Sequence, residues 1–247
     1  EHLARLALKC YHAKEMTGPM KTSIISILYK GGDKPRERWA SHRPVSLTDV
    51  AYRVMDKVVE QHLSEVLGTV LDGSNIGFVP GARVEADTLT MAEAARYIHV
   101  GATRGDGPKG GAIACLDADK AYDRVEIPVL LDTLRAFGFP EEFIDLTRTL
   151  YTGLHARLKI NGHVGHAFSI GNGLRQGAPS SCPYFLLVQE VFIRDLQADK
   201  SFEGVAIPGP GGVGTEELRV RAYADDTKLF LRSLRDAEGL QRAVRRW

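Results

Sequence analysis

The feature that most constrains this chain is a five-residue apolar run, Ala112-Ile113-Ala114-Cys115-Leu116, that ends on Asp117 and is answered about a hundred residues later by Ala224-Asp225-Asp226. A short apolar run set between Gly and Asp reads as a buried strand. Leu218–Tyr223 and Thr227–Leu231 read as a second pair of strands, with Ala224-Asp225-Asp226 as their tight connection. Carboxylates gathered at strand ends repel one another unless a cation neutralises them. Their oxygens are hard ligands suited to Mg²⁺ or Mn²⁺, and two such ions a few Å apart serve phosphoryl transfer. An ordinary reading stands beside this one: Asp-Asp is a common polar turn and Asp117 a strand terminator.

The rest of the chain alternates helical and β-rich patterns. Leu3–Leu8 has helical character, and Thr22–Tyr29 is a β-rich run closed by Lys30-Gly31-Gly32-Asp33. Thr48 or Asp49 can cap a helix whose apolar positions Val50, Val54, Val58 and Leu63 recur at helical spacing as far as Gly68. A helix is expected over Glu85–Val100, then a Gly-rich loop from Gly101 to Gly111 that makes the best internal boundary. Helices are expected over Pro128–Phe137 and Pro140–Leu150, separated by Gly138. His155–Ile160 and His163–Ile170 should form a hairpin, because Asn161-Gly162 favours a type I′ turn. A further helix should run from about Pro179 to Ala198, Pro208–Gly214 reads as a surface loop, and the chain finishes in an Arg-rich helix.

With 247 residues, 44% of them hydrophobic, the chain can bury the core of one large domain or two small ones. Lys plus Arg number 32 against 31 Asp plus Glu, so no basic excess announces a nucleic-acid partner, and any such partner must be argued from local residues. Cys10, Cys115 and Cys182 are far apart, odd in number and follow no zinc spacing, which argues against a disulfide framework or structural zinc and fits a reducing compartment. No apolar run reaches the roughly 18 residues of a membrane span, so no membrane partner is expected. The opening Glu1-His2-Leu3-Ala4-Arg5 is not a secretory signal. The missing initial Met, and an end at Trp247 inside a helical pattern, suggest a piece of a longer polypeptide.

Three segments, read in order, carry more than their spacing: Asp117-Ala118-Asp119-Lys120-Ala121-Tyr122-Asp123, Gly173-Leu174-Arg175-Gln176-Gly177-Ala178-Pro179 and Ala222-Tyr223-Ala224-Asp225-Asp226-Thr227. Together they resemble the reverse transcriptases of LINE-type, non-LTR retrotransposons. Ile27–Asp33, Arg43-Pro44-Val45-Ser46-Leu47 and Ile76-Gly77-Phe78-Val79-Pro80-Gly81 resemble the family's fingers motifs in the same order. A lone Tyr-Ala-Asp-Asp is weak; six ordered segments are specific.

The resemblance implies an α+β right-hand polymerase fold, with fingers over residues 1–110 and a palm over 111–247. The palm would be a ferredoxin-like antiparallel sheet with packed helices, and the thumb is absent from the pattern. It implies RNA-directed DNA synthesis, with an RNA template, a DNA primer and deoxynucleoside triphosphates as partners. Asp117 and Asp225 would hold two Mg²⁺ or Mn²⁺ ions and Asp226 would support them. The main-chain amide of Ala118 would face the phosphates. Tyr122 would stand under the incoming sugar and exclude a 2′-hydroxyl; its plain alternative is a core Tyr on a strand-to-helix turn. Lys30 and Arg43 would grip the triphosphate, and otherwise are surface cations. Gln176 and Gly177 would pack against nucleotide and template base, or simply cap the helix after Pro179. Arg175 and Asn75 would touch template. Asp123 is expected to cap a helix starting near Glu126. The family also implies flanking thumb and endonuclease domains and a nuclear location.

The chain departs from the family pattern at two places. Ala178-Pro179-Ser180-Ser181-Cys182-Pro183 carries Ser and Cys where Leu and a second Pro are usual, and Asn75 replaces a frequent Gln two residues before Gly-Phe. Without a thumb, and with a net charge of +1, the grip on a primer–template would be reduced. The competing class is a silent relative that binds RNA or protein with its carboxylates as relics. RNA-templated RNA synthesis is disfavoured by Tyr122.

Overall fold

The computed structural model describes residues 1–104, 110–208 and 215–246. Along the chain run α1 (His2–Ala13), α2 (Gly18–Lys21), β1 (Thr22–Tyr29), β2 (His42–Leu47), α3 (Val50–Val70), α4 (Val84–Arg104), β3 (Ala112–Leu116) and α5 (Ala121–Arg124). There follow α6 (Ile127–Ala136), α7 (Glu141–Tyr151), β4 (His155–Ile160), β5 (His163–Ser169), α8 (Ser181–Ala198), β6 (Val205–Pro208), β7 (Thr215–Leu218), β8 (Val220–Tyr223), β9 (Asp226–Leu231) and α9 (Ala237–Arg245). β1 (TSIISILY) falls where β-branched and aromatic residues concentrate.

Two compact units divide the chain, each built from two segments: Glu1–Glu65 with Lys120–Phe185, and Val66–Asp119 with Leu186–Trp247. The first unit carries a four-stranded sheet in the order β2-β1-β4-β5. β1 pairs antiparallel with β2 and parallel with β4, so residues far apart in sequence, such as Thr22 and His155, become neighbours. β2 contains Pro44, which donates no backbone hydrogen bond, and it is tolerated because β2 lies at the sheet edge. The hairpin of β4 and β5 turns on Asn161 and Gly162, with φ of 49° and 83°, as the Asn-Gly pair predicts. Asp49 caps α3: its Oδ1 accepts from the Ala51 amide at 2.8 Å.

The second unit centres on an antiparallel sheet in the order β3-β9-β8. Alternation along β9 sends Leu229 and Leu231 into one core with Ile193 and Leu196 of α8, Phe202, and Leu240 and Ala243 of α9. Phe230 points the other way, into a core with Ala94 of α4, Val205 and Ile207 of β6 and Leu218 of β7. The middle strand is thus apolar on both faces over Leu229–Leu231, and only its Asp226 end is exposed.

Some expectations need correction. Leu218 does not lead into the strand ending at Tyr223; it closes β7 and pairs with Val205 of β6. The helix expected to end at Val100 continues to Arg104, through Gly101, since a single helical Gly costs only about 1 kcal/mol. Asp123 does not cap α6; it lies within α5 and accepts a hydrogen bond from the Gln176 side chain. Of the loops expected at 101–111 and 208–214, residues 105–109 and 209–214 lie outside the described residues, as does Trp247. Among those described, no helix is long and apolar enough to cross a membrane.

Candidate active site

In the second unit, β3 and β9 deliver the carboxylates. Leu116 pairs with Thr227, so the ends of two neighbouring strands, just past Leu116 on β3 and just before Thr227 on β9, bring Asp117 and Asp226 to the same edge of the sheet. Tyr223 pairs with Asp226 across the hairpin, which leaves Ala224 and Asp225 as the two turn residues. Asp117 and Asp226 are exposed and Asp225 is half-buried. By strand alternation Asp117 shares its face with Cys115 and Ile113, both exposed. Hard carboxylate oxygens at adjoining strand ends fit a divalent ion. Among the described residues no three His, Cys, Asp or Glu side chains close around a common point.

The turn itself is braced from below. Ala224 has φ of 52°, a conformation that costs a non-Gly residue roughly 1–2 kcal/mol. Asn75, 1% exposed, accepts from the Ala224 amide at 3.2 Å and donates to the Ala224 carbonyl at 3.2 Å. The same side chain accepts from the Gly77 amide at 3.0 Å and donates to Gln189 Oε1 at 2.8 Å. Gln189 in turn donates to Thr227 Oγ1 at 3.0 Å. The main chain joins in: the Ala222 amide donates to the Ser74 carbonyl at 2.8 Å and the Ile76 amide to the Ala222 carbonyl at 3.1 Å. Gly77 lies so close that a Cβ there would sit 2.2 Å from the Ala224 nitrogen. Phe78 and Tyr223, both exposed, bring their rings within 6.4 Å of each other.

The first unit assembles most of the residues assigned to the nucleotide. Tyr122 stacks on Phe185 with ring centroids 4.8 Å apart, and its hydroxyl reaches Cys182 Sγ at 3.4 Å. The Leu174 amide donates to the Tyr122 carbonyl at 2.8 Å, and Gln176 Nε2 donates to Asp123 Oδ1 at 2.9 Å, so the Gly173–Gly177 segment is tied to α5. The Gln176 carbonyl accepts from the Ser46 amide of β2 at 3.0 Å, and a Cβ on Gly177 would meet the Ser46 carbonyl at 3.3 Å. β2 also carries Arg43, exposed and paired with Leu28 in the register. Lys30, just past β1, is exposed and donates from Nζ to the Ala40 carbonyl at 2.9 Å. Ala118 is exposed beyond β3 in the second unit.

Two assigned residues stand elsewhere. Arg175 is 3% exposed. Its guanidinium donates to the carbonyls of Met20 and Lys21 at 3.3 and 3.0 Å and lies 4.3 Å from the Tyr52 ring centroid. It is a buried tie between segments of its unit and does not face a template. Asn75 is likewise buried and spends its side chain on protein. The sequence reading missed the groups that hold these segments. Asp56 accepts from the Ser180 amide at 3.0 Å and from its hydroxyl at 2.5 Å, which caps the start of α8. Burial raises the Asp56 pKa, and the Ser180 hydrogen bonds and Arg175 pull against it. Burial also raises the Tyr151 hydroxyl, beside this group, to values beyond the ordinary phenol range. Neither Asp56 nor Gln189 lies in a recognisable motif; a polar residue on a buried helical face was the only signal.

Residues 32–247 match the family described as reverse transcriptase (RNA-dependent DNA polymerase). Among curated proteins, a transposon TX1 149 kDa protein from Xenopus laevis is 29% identical over 96% of this chain and 17% of its own length. A retrovirus-related Pol polyprotein from the type-2 retrotransposable element R2DM of Drosophila melanogaster is 29% identical over 76% of this chain and 16% of its own length. A Pol polyprotein from a type-1 element R2 of Nasonia vitripennis is 27% identical over 84% and 18%. The chain therefore spans less than a fifth of these relatives. Solved telomerase structures share the fold: one from Candida albicans in complex with a fragment of telomeric RNA (TM-score 0.56, 11% identity, 97% of this chain and 43% of that one) and an apo form from Candida tropicalis (0.59, 10%, 98% and 44%). With the carboxylate-bearing sheet, the six ordered motifs and this match over most of its length, the chain belongs to the reverse transcriptase family, as a domain of the LINE-type, non-LTR retrotransposon kind.

Proposed function

We propose that this chain is the fingers and palm of an RNA-directed DNA polymerase that extends a primer 3′-hydroxyl with deoxynucleoside triphosphates by a two-metal mechanism. The observation that carries the reading is the pairing of Leu116 with Thr227, which brings the strand ends bearing Asp117 and Asp226 to one edge of the sheet, with Asp225 on the adjoining turn. Residues 1–110 would act as fingers and 111–247 as palm, with thumb and endonuclease domains supplied by a longer protein in the nucleus.

Mg²⁺ or Mn²⁺, when bound, would make the primer hydroxyl more acidic and neutralise the triphosphate as pyrophosphate leaves. The chain's own residues position the reactants. Asp117 and Asp225 would hold the ions, Asp226 would support them, and the Ala118 amide would face phosphate oxygens. The Tyr122 ring, held against Phe185, fills the space a 2′-hydroxyl would need and so selects deoxynucleotides. Lys30 and Arg43 supply cations for the triphosphate, Arg as a planar fork. Gln176 and Gly177 form a floor for the nucleotide and template base, anchored to β2 through Ser46.

Primer extension on an RNA template with Mg²⁺ or Mn²⁺ tests this reading on three proteins: the chain, its Asp225→Asn variant and a form lengthened at the C-terminus. Extension by the chain or its lengthened form should fall by about a thousandfold or more in Asp225→Asn. Folded proteins that bind RNA yet extend nothing, in both parent forms, overturn the reading and leave a silent relative.

A further inference from the structure

A tight turn that must present two adjacent acids meets a physical difficulty. The acids repel each other, and the residue before them sits in a left-handed conformation suited to Gly. Nothing local in Ala224-Asp225 holds that geometry. The restraint comes from two amide side chains that approach from beneath the hairpin.

We propose that Asn75 and Gln189 form a clasp that fixes both ends of the Asp225-Asp226 turn, which makes them positioning residues for the carboxylates. Asn75 seizes the residue before the acids, through both the amide and the carbonyl of Ala224. Gln189 seizes the residue after them, through the Thr227 hydroxyl. The Asn75–Gln189 hydrogen bond joins the two grips into one chain. All of its members are buried: Asn75 1%, Gln189 8%, Ala224 5% and Thr227 3% exposed. An Asn side chain offers two donor hydrogens and two acceptor lone pairs, and here all four are spent within the clasp.

The orientation of each amide follows from its partners. Reversing Asn75 would set its NH₂ against the Ala224 and Gly77 amides, and reversing Gln189 would set NH₂ against NH₂. Each group holds the other in the one arrangement that satisfies the turn. The segment Ser74–Gly77 runs parallel to β8 through an Asn75–Ala222 bridge, so Asn75 is placed by main chain rather than by its own rotamer alone. The two carboxyl groups carry none of these bonds. The clasp fixes where they stand and leaves their oxygens outside it.

The clasp itself is independent of the polymerase reading; its consequence for turnover rests on that reading, and the test separates the two. Amide hydrogen exchange over residues 222–228 is measured in the chain, in Asn75→Ala and in Gln189→Met. Loss of the clasp should speed exchange at the turn by about tenfold or more, the effect of one or two net hydrogen bonds. Amides of β3 and of β9 beyond Lys228 should keep their protection. In single-turnover primer extension the variants should slow by up to about a hundredfold, the scale of a misplacement near 1 Å, with affinity for primer–template unchanged. Gln189→Met frees only the Thr227 end and keeps the reading testable if Asn75→Ala does not fold. Unchanged exchange at the turn in a folded variant overturns the clasp. So does weakened template affinity with turnover intact, which would make Asn75 a template contact. A parent chain that extends no primer removes the polymerase reading only, because the exchange measurement still decides the clasp.

Discussion

Among the described residues two hairpins turn on two residues each, and they are built on opposite plans. The turn of β4 and β5 uses Asn161 and Gly162, both at positive φ, the residues that adopt that backbone at least cost. It is exposed, and its conformation is written into the two residues that form it. The turn of β8 and β9 uses Ala224 and Asp225, with positive φ imposed on an alanine. It is held by Asn75, Gln189 and the close approach of Gly77. A turn that only reverses the chain can be specified locally. One that must display adjacent carboxylates gives its positions to them, and its geometry has to be held from outside. Helix starts show the same contrast: Asp49 caps α3 from the preceding residue, whereas Asp56 caps α8 from far away in sequence.

Gly77→Ala attacks the borrowed restraint most directly, because the new Cβ would meet backbone that has no rotamer to yield. It should cost about 1–3 kcal/mol in urea unfolding and displace the acid turn; an unchanged midpoint would break the contrast. Gly162→Ala should cost roughly 1 kcal/mol, from φ alone, and leave primer extension intact. Ala224→Gly carries the opposite sign, a gain of up to about 1 kcal/mol as the left-handed strain is relieved; a loss there would mean that Ala224 is not strained. The mildest effect is on pH. Burial raises Asp56, so the folded state binds its proton more tightly than the unfolded chain does. Its contribution to stability should be greatest below the ordinary carboxylate range and decline as pH rises through the raised value. Asp56→Asn should flatten that slope in midpoints measured across acidic pH.

What the sequence made legible follows the same line. β1, β3 and the Asn161-Gly162 hairpin lie where local composition put them, because apolar β-rich runs and Asn-Gly turns need no distant partner. The three carboxylates were legible as motifs. β2 was not read as a strand, since Pro44 argues against one until its edge position is known. Leu218 was placed in the wrong strand because β7 and β8 are parted by a single residue, Arg219, with nothing local to mark the break. From sequence, Asn75 and Arg175 pass for template contacts. A polar side chain near a motif looks alike whether it faces solvent or the core, and only burial tells the two apart. Gln189, inside an apolar helical stretch, gave no sign of its partner Thr227.

Each compact unit is assembled from two separated stretches of chain, and this bears on how the protein is made. A ribosome adds about 5–20 residues per second, so β1 must wait on the order of ten seconds before β4, its parallel neighbour, is synthesised. β3 waits almost as long for β9. During that interval unpaired strands are exposed to wrong partners. A cut at the Gly-rich stretch, between 110 and 111, would divide the segments of both units and part β1 and β2 from β4 and β5, although β3, β8 and β9 would stay on one piece. Splitting such a chain for expression should therefore begin from the interleaved units rather than from the linear order of the motifs.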